Sequence, residues 1–180
     1  MKRNWFVALG AVAEQPIEFP PLADGMHLLH ADDYHITVAF LGALRADPTD
    51  HLTSMLHSMH RAQLDAVADR ALLLPQPTYA SVVALGFSDV ELTAFIAQWR
   101  NQLRAAVGLP PEERSVLPHM TVVRMKPSRD VHIIERRKQW VRLLAERLPW
   151  RFRLKWIGLY TWREHAHQSR YRMTLRIELN

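Results

Sequence analysis

Residues 35–42 read His-Ile-Thr-Val-Ala-Phe-Leu-Gly, and residues 119–124 read His-Met-Thr-Val-Val-Arg. Each stretch opens on His-x-Thr and continues in apolar residues, the pattern of a strand with one buried face. Side chains two apart in a strand point the same way, so His35 stands beside Thr37 and His119 beside Thr121. Strict alternation then assigns Ile36, Val38 and Phe40 to the buried face of the first strand, and Met120 and Val122 to that of the second. Chance spacing of the His and Thr residues alone gives about 0.4 copies of such a motif, so a single copy says little. A third copy, His51/Thr53, serves as a control. It falls in the first turn of an expected helix, where side chains two apart diverge by roughly 200°. Strand context separates the first and last copies from the middle one.

The motifs sit in a faint internal repeat. Phe6-Val7-Ala8-Leu9-Gly10 matches Val82-Val83-Ala84-Leu85-Gly86, and each is followed by its own His-x-Thr strand. The repeat points to a duplicated unit of about 80 residues. Around it, Met1 to Gly10 reads as a buried strand, and the prolines at 16, 20 and 21 make 11–31 an irregular connection. A helix is expected from Pro48 to about Ala68, a strand over Tyr79–Phe87, and a helix from Asp89 to Val107 capped by Gly108. A third helix is expected from Pro127 to near Leu148, and a closing hairpin pairs Trp150–Trp156 with Tyr171–Leu179. Helices and strands mix without a glycine-rich phosphate loop, so the fold class is α+β with antiparallel sheets.

Composition limits the chemistry. The chain has 180 residues, 48% of them apolar, and no cysteine, so thiolate nucleophiles, disulfides and Cys-ligated metals are excluded. No stretch approaches the length of an apolar membrane span, and a cytoplasmic monomer is the expectation. The net charge of +5 is uneven: residues 1–90 hold 5 Lys/Arg and 10 Asp/Glu, whereas 91–180 hold 18 and 8. The basic half suits phosphate or nucleic-acid partners. In the expected hairpin Arg151, Arg153 and Lys155 share a face with Arg172 and Arg176, and Arg136, Arg137, Lys138, Arg142 and Arg147 crowd the third helix. His57 with His60, and His165 with His167, lack a carboxylate at a convincing spacing, so no metal and no cofactor is expected. Trp162 is the candidate for base stacking, while Tyr34 is assigned to the core.

Two histidines on facing strands supply one general base and one general acid near neutral pH. The threonine hydroxyls donate to phosphoryl oxygens, and a nearby arginine stabilises the developing negative charge. These parts suffice to break a cyclic phosphodiester without a metal. A site that binds phosphate without turnover uses the same parts, and a purely structural role requires the two histidines to lie far apart.

At these residues the sequence resembles the two-histidine phosphoesterases. HITVAFLG at 35–42 and HMTVVR at 119–124 look most like the signatures of the LigT-like RNA 2′,3′-cyclic phosphodiesterases, historically called 2′–5′ RNA ligases. The opening NWFVAL, Pro118 and the closing hairpin extend the resemblance over most of the chain. It implies a single bilobal domain over residues 1–180, made of two pseudo-repeats, with one motif each at 35–37 and 119–121. Antiparallel sheets would line a central cleft and helices would pack outside. It also implies metal-independent opening of RNA 2′,3′-cyclic phosphate ends, or of small cyclic or 2′–5′ nucleotides, to 2′-phosphates. His35 would be the general acid toward the leaving 3′ oxygen and His119 the base for water, with Thr37, Thr121 and Arg124 binding the phosphate. Arg124 raises a geometric question, because position +5 of a regular strand faces away from His119; a bulge or a curled side chain is needed. The chain departs from the family in the short, proline-rich 11–31, and in His27-Leu28 where relatives often carry an Arg-Trp-like pair.

Overall fold

The computed structural model describes residues 4–59, 64–163 and 169–179. Eight strands form one antiparallel sheet: β1 (Asn4–Ala13), β2 (Met26–Leu28), β3 (His35–Ala43), β4 (Leu64–Leu74), β5 (Val82–Phe87), β6 (His119–Met125), β7 (Trp150–Trp162) and β8 (Tyr171–Glu178). Three helices, α1 (Thr49–Ser58), α2 (Val90–Ala106) and α3 (Val131–Ala145), bury their apolar stripes with one face of it. The sheet order is β2-β6-β5-β4-β7-β1-β3, with β8 also on β7. Strand β7 joins the two halves. Its first half, from Trp150 to Leu154, pairs with β4, and its second half, from Trp156 to Trp162, pairs with β8. The antiparallel sheets expected from sequence are therefore continuous through β7 and β1.

The two ends of the sheet are brought together by the chain itself. After β2 runs along the edge of β6, Leu29 N–H still donates to the Val122 carbonyl, and five residues on, the Tyr34 carbonyl accepts from Ala11 N–H at the start of β3. Strand β3 consequently approaches β6 although the two are near opposite ends of the strand order. One face of the sheet packs on the helices through Val7, Leu9, Ile36, Val83, Leu85, Met120 and Leu159. The other face lines a cleft.

Several expectations are corrected. The helix from Pro48 ends at Ser58, and Leu64–Leu74 is a strand. Its alanines and leucines favour helix locally, but pairing with both β5 and β7 overrides that preference. The connection 11–31 contains β2, and residues 77–79 form a 3-10 turn ahead of β5. Helix α3 starts at Val131, where the Asp130 carboxylate accepts from the His132 and Ile133 amides. In the tail, β8 pairs with Trp156–Trp162 rather than with 150–156. A bulge between Leu159 and Tyr160 leaves Thr174 unpaired, so Arg172 and Arg176 lie on opposite faces. Arg153 instead meets Glu14 at 2.9 Å and Asp65 at 3.7 Å. No helix is long and apolar enough to cross a membrane.

Candidate active site

Both histidines stand at the first position of their strand, and both are held by the same local device. The Nδ1 of His35 lies 2.6 Å from the Asp33 carbonyl, and the Nδ1 of His119 lies 2.7 Å from the Leu117 carbonyl. A carbonyl only accepts, so each Nδ1 carries the proton and each Nε2 is left to exchange one. The backbone two residues upstream thus sets the tautomer in both halves.

The strand register carries the equivalence further. Gly10 pairs with His35, Leu9 with Ile36 and Ala8 with Thr37; Gly86 pairs with His119, Leu85 with Met120 and Ala84 with Thr121. The ladder then slips in the same place twice, between Val7 and Ala8 and between Val83 and Ala84. In β6 the slip puts Val122 and Val123 consecutively in the core, at 0% exposure each. The alternation restarts out of phase, and Arg124 emerges on the face of His119 and Thr121. This bulge resolves the problem posed by position +5. In β3 the same slip buries Val38 and Ala39 and turns out Phe40, which is 52% exposed rather than buried as strict alternation required.

The two motifs meet at Tyr171. Its ring lies edge-on to His35, with centroids 5.2 Å apart, and its hydroxyl accepts from Arg124 Nη2 at 2.9 Å. Phe6 and Tyr160 complete the wall around His35, at 4.9 and 5.8 Å between centroids. Burial lowers the His35 pKa to about 4; the Asp33 carbonyl and carboxylate oppose this, and the charges of His119 and Arg124 add to it. His119 and Arg124 are thus close enough to His35 for their charge to be felt there. Arg124 Nε is buried without a partner among the described residues, a donor inside the site for an oxyanion to satisfy.

Sequence reasoning does not single out Asp33, yet it serves two elements. Its carbonyl fixes His35, while its buried carboxylate accepts from Ser169 Oγ at 2.6 Å and Arg170 N–H at 2.9 Å. The only sequence signal is its place two residues before the motif. Trp162 ends β7, 38% exposed, and lines a cavity of about 100 Å³ with Arg124, Arg163, Arg170 and Tyr171. Tyr34 is in the core, as assigned. His51 and Thr53 sit on α1, away from these strands, and His57 Nδ1 donates to the Thr53 carbonyl of its own helix. His60, His165 and His167 lie outside the described residues. Among the described residues no three His, Cys, Asp or Glu gather as a metal site.

No protein-family model matches the sequence, and no curated protein matches it. Solved structures match it in shape. A protein described as a phosphoesterase shares 20% identity at a TM-score of 0.67, over 100% of this chain and 99% of that one. LigT of E. coli, crystallised with 3′-AMP, shares 18% at a TM-score of 0.65, over 99% of this chain and 98% of LigT. The Thermus thermophilus protein TT0787 shares 15% at 0.60, over 98% and 97%. The strand pairing, the two histidine strands and these neighbours agree: the chain has the LigT-like two-histidine phosphoesterase fold.

Proposed function

We propose that the chain is a metal-independent phosphodiesterase that opens 2′,3′-cyclic phosphates, at RNA ends or on related nucleotides, to 2′-phosphates. The observation that carries this reading is the matched pair of imidazoles. Each is locked through Nδ1 onto a carbonyl two residues upstream, and each Nε2 is left to work. The acid, the base and the donors to phosphate are then all side chains of this chain. The crystals of LigT with 3′-AMP, with ATP, with NADP+ and with phosphate support a nucleotide or phosphate ligand. The twin registers and twin slips support a single domain over residues 1–180 built from two pseudo-repeats.

In the reaction Thr37, Thr121 and Arg124 hold the phosphoryl oxygens, and Tyr171 steadies Arg124. His35, kept neutral by burial, takes the proton of the attacking water as its oxygen bonds to phosphorus. The bond from phosphorus to the 3′ oxygen breaks, and His119, as the general acid, gives a proton to that oxygen. These roles reverse the assignment that the resemblance implied, and the reason is electrostatic: a histidine with a depressed pKa is the better resting base.

The test is turnover in EDTA of an RNA oligonucleotide ending in a 2′,3′-cyclic phosphate. The expected product is the 2′-phosphate, identified by mass and by its position isomer. Full activity in the double variant His35→Ala/His119→Ala overturns the mechanism. Salt-sensitive binding without product, with both histidines intact, makes the chain a binding module instead.

A further inference from the structure

Two rows of residues cross the cleft face, one ending at each histidine. Trp156, Gly10 and His35 are successive register partners on β7, β1 and β3. Arg70, Gly86 and His119 are their counterparts on β4, β5 and β6. In each row the outer side chain lies down over the glycine that separates it from the histidine. A Cβ on Gly10 would stand 2.0 Å from Trp156 Cε2, and one on Gly86 would stand 2.7 Å from Arg70 Cγ and 2.8 Å from its Nε. A one-residue slip sets up each row, with Lys155 unpaired in β7 and Asp69 unpaired in β4. In a regular ladder with no slip, Arg70, two residues after Ala68, would continue the face of Ala66 and Ala68 into the core.

The rows differ in what they leave free. Trp156 is committed: the Arg176 guanidinium sits 4.0 Å over its ring, and its Nε1–H donates to the Tyr160 hydroxyl at 2.6 Å. Arg70 is not. Its side chain is 45% exposed, and its partners among the described residues are the Asp69 carboxylate at 3.8 Å and the Phe87 carbonyl at 3.5 Å. Contacts at those lengths are weak and leave the fork of N–H donors largely available. Arg124 already serves the far end of the His119–Thr121–Arg124 line. Arg70 lies beyond the other end, over a glycine that is one strand spacing, about 5 Å, from the His119 strand. At the same two positions the first half of the molecule presents Trp156 and Phe40, so both arginines belong to the His119 side.

We propose that Arg70 binds a second phosphate of the substrate, the internucleotide phosphate next to the reacting end, and thereby selects oligonucleotide ends over cyclic mononucleotides. The proposal rests on the phosphodiesterase reading for the identity of the substrate, but not for its test. Three ligands with a terminal phosphate are titrated by calorimetry: adenosine 3′-monophosphate, the dinucleotide ApAp, and ApAp with an uncharged methylphosphonate linkage. The wild-type protein is expected to bind ApAp about tenfold more tightly than its methylphosphonate form, the size of one charge-assisted arginine–phosphate contact. Arg70→Gln should bring that ratio to within about twofold of one, and Arg70→Lys should restore part of it. The salt slope of log K for ApAp should fall by about 0.7 in Arg70→Gln.

A wild-type ratio near one, or a ratio unchanged in Arg70→Gln, overturns the proposal. So does a loss in Arg70→Gln that is equal for adenosine 3′-monophosphate and ApAp, since Arg70 would then read the reacting phosphate. Turnover of ApA 2′,3′-cyclic phosphate and of 2′,3′-cyclic AMP is measured in parallel. If neither is hydrolysed, the phosphodiesterase reading fails while the affinity ratio still decides the role of Arg70.

Discussion

His35 works from inside an aromatic shell, and that shell dictates when it carries a proton. Phe6, Tyr160 and Tyr171 pack around it and desolvate it, Asp33 favours its charged form, and His119 and Arg124 disfavour it. Below an unfolded-state pKa near 6.5 the unfolded chain takes up a proton that the folded site refuses until about pH 4. The unfolding free energy should therefore decline as pH falls from 6.5 toward 4, and His35→Gln should remove that part of the decline in denaturant titrations. Activity is sharper still. His35→Ala and His119→Ala should each lower kcat on a cyclic RNA end by about 10²–10⁴-fold. On bis(p-nitrophenyl) phosphate, whose leaving group needs no proton, His119→Ala should keep far more activity than His35→Ala. The opposite order would restore His119 as the base. The four His and Thr positions are legible in the sequence because strand alternation puts i and i+2 on one side whatever follows. Asp33 is not, because its role comes from a carbonyl and from a loop more than 130 residues away.

At the scale of the element, the slips in the ladder do most of the positioning. They turn Arg124, Phe40, Arg70 and Trp156 onto the cleft face, and the two rows that end at the histidines require a glycine where a side chain crosses the neighbouring strand. Gly10→Ala drives a methyl group into a rigid indole held by Tyr160 and Arg176, whereas Gly86→Ala meets mainly the flexible stem of Arg70. Chemical denaturation should show Gly10→Ala costing about 1–3 kcal/mol and Gly86→Ala clearly less. Helix α2 begins with the Asp89 carboxylate accepting from Leu92 N–H at 2.7 Å, and Asp89→Ala should cost about 1 kcal/mol in the same assay. That cap, the glycine ending α2 and the bounds of β6 are readable, since each depends on residues adjacent in the chain. Strand β4 is not: Leu64–Leu74 has the composition of a helix, and its two partners are β5 and the distant β7. The slip in β6 leaves a trace, the doubled valine at 122–123, where a regular one-faced strand would alternate.

For the whole molecule, the aromatic residues around His35 and the arginines beside His119 divide the cleft by chemistry. The basic excess of residues 91–180 is only partly explained by this division, since Arg70 comes from the acidic half and Arg153 is spent on Glu14 and Asp65. The likeness of the two histidine strands is legible in outline from two short repeats, and the register shows how far it extends. What the repeats cannot convey is that both halves lean on a single strand. Strand β7 borders β1 along most of its length, and on its other edge it is shared between β4 and β8. Its partners Trp5 and Thr161 are separated by almost the entire chain. During synthesis, then, neither histidine strand can settle into a finished half before β7 has left the ribosome. Such high contact order makes late, all-at-once closure the expected route, with both halves of the candidate site born in the same step.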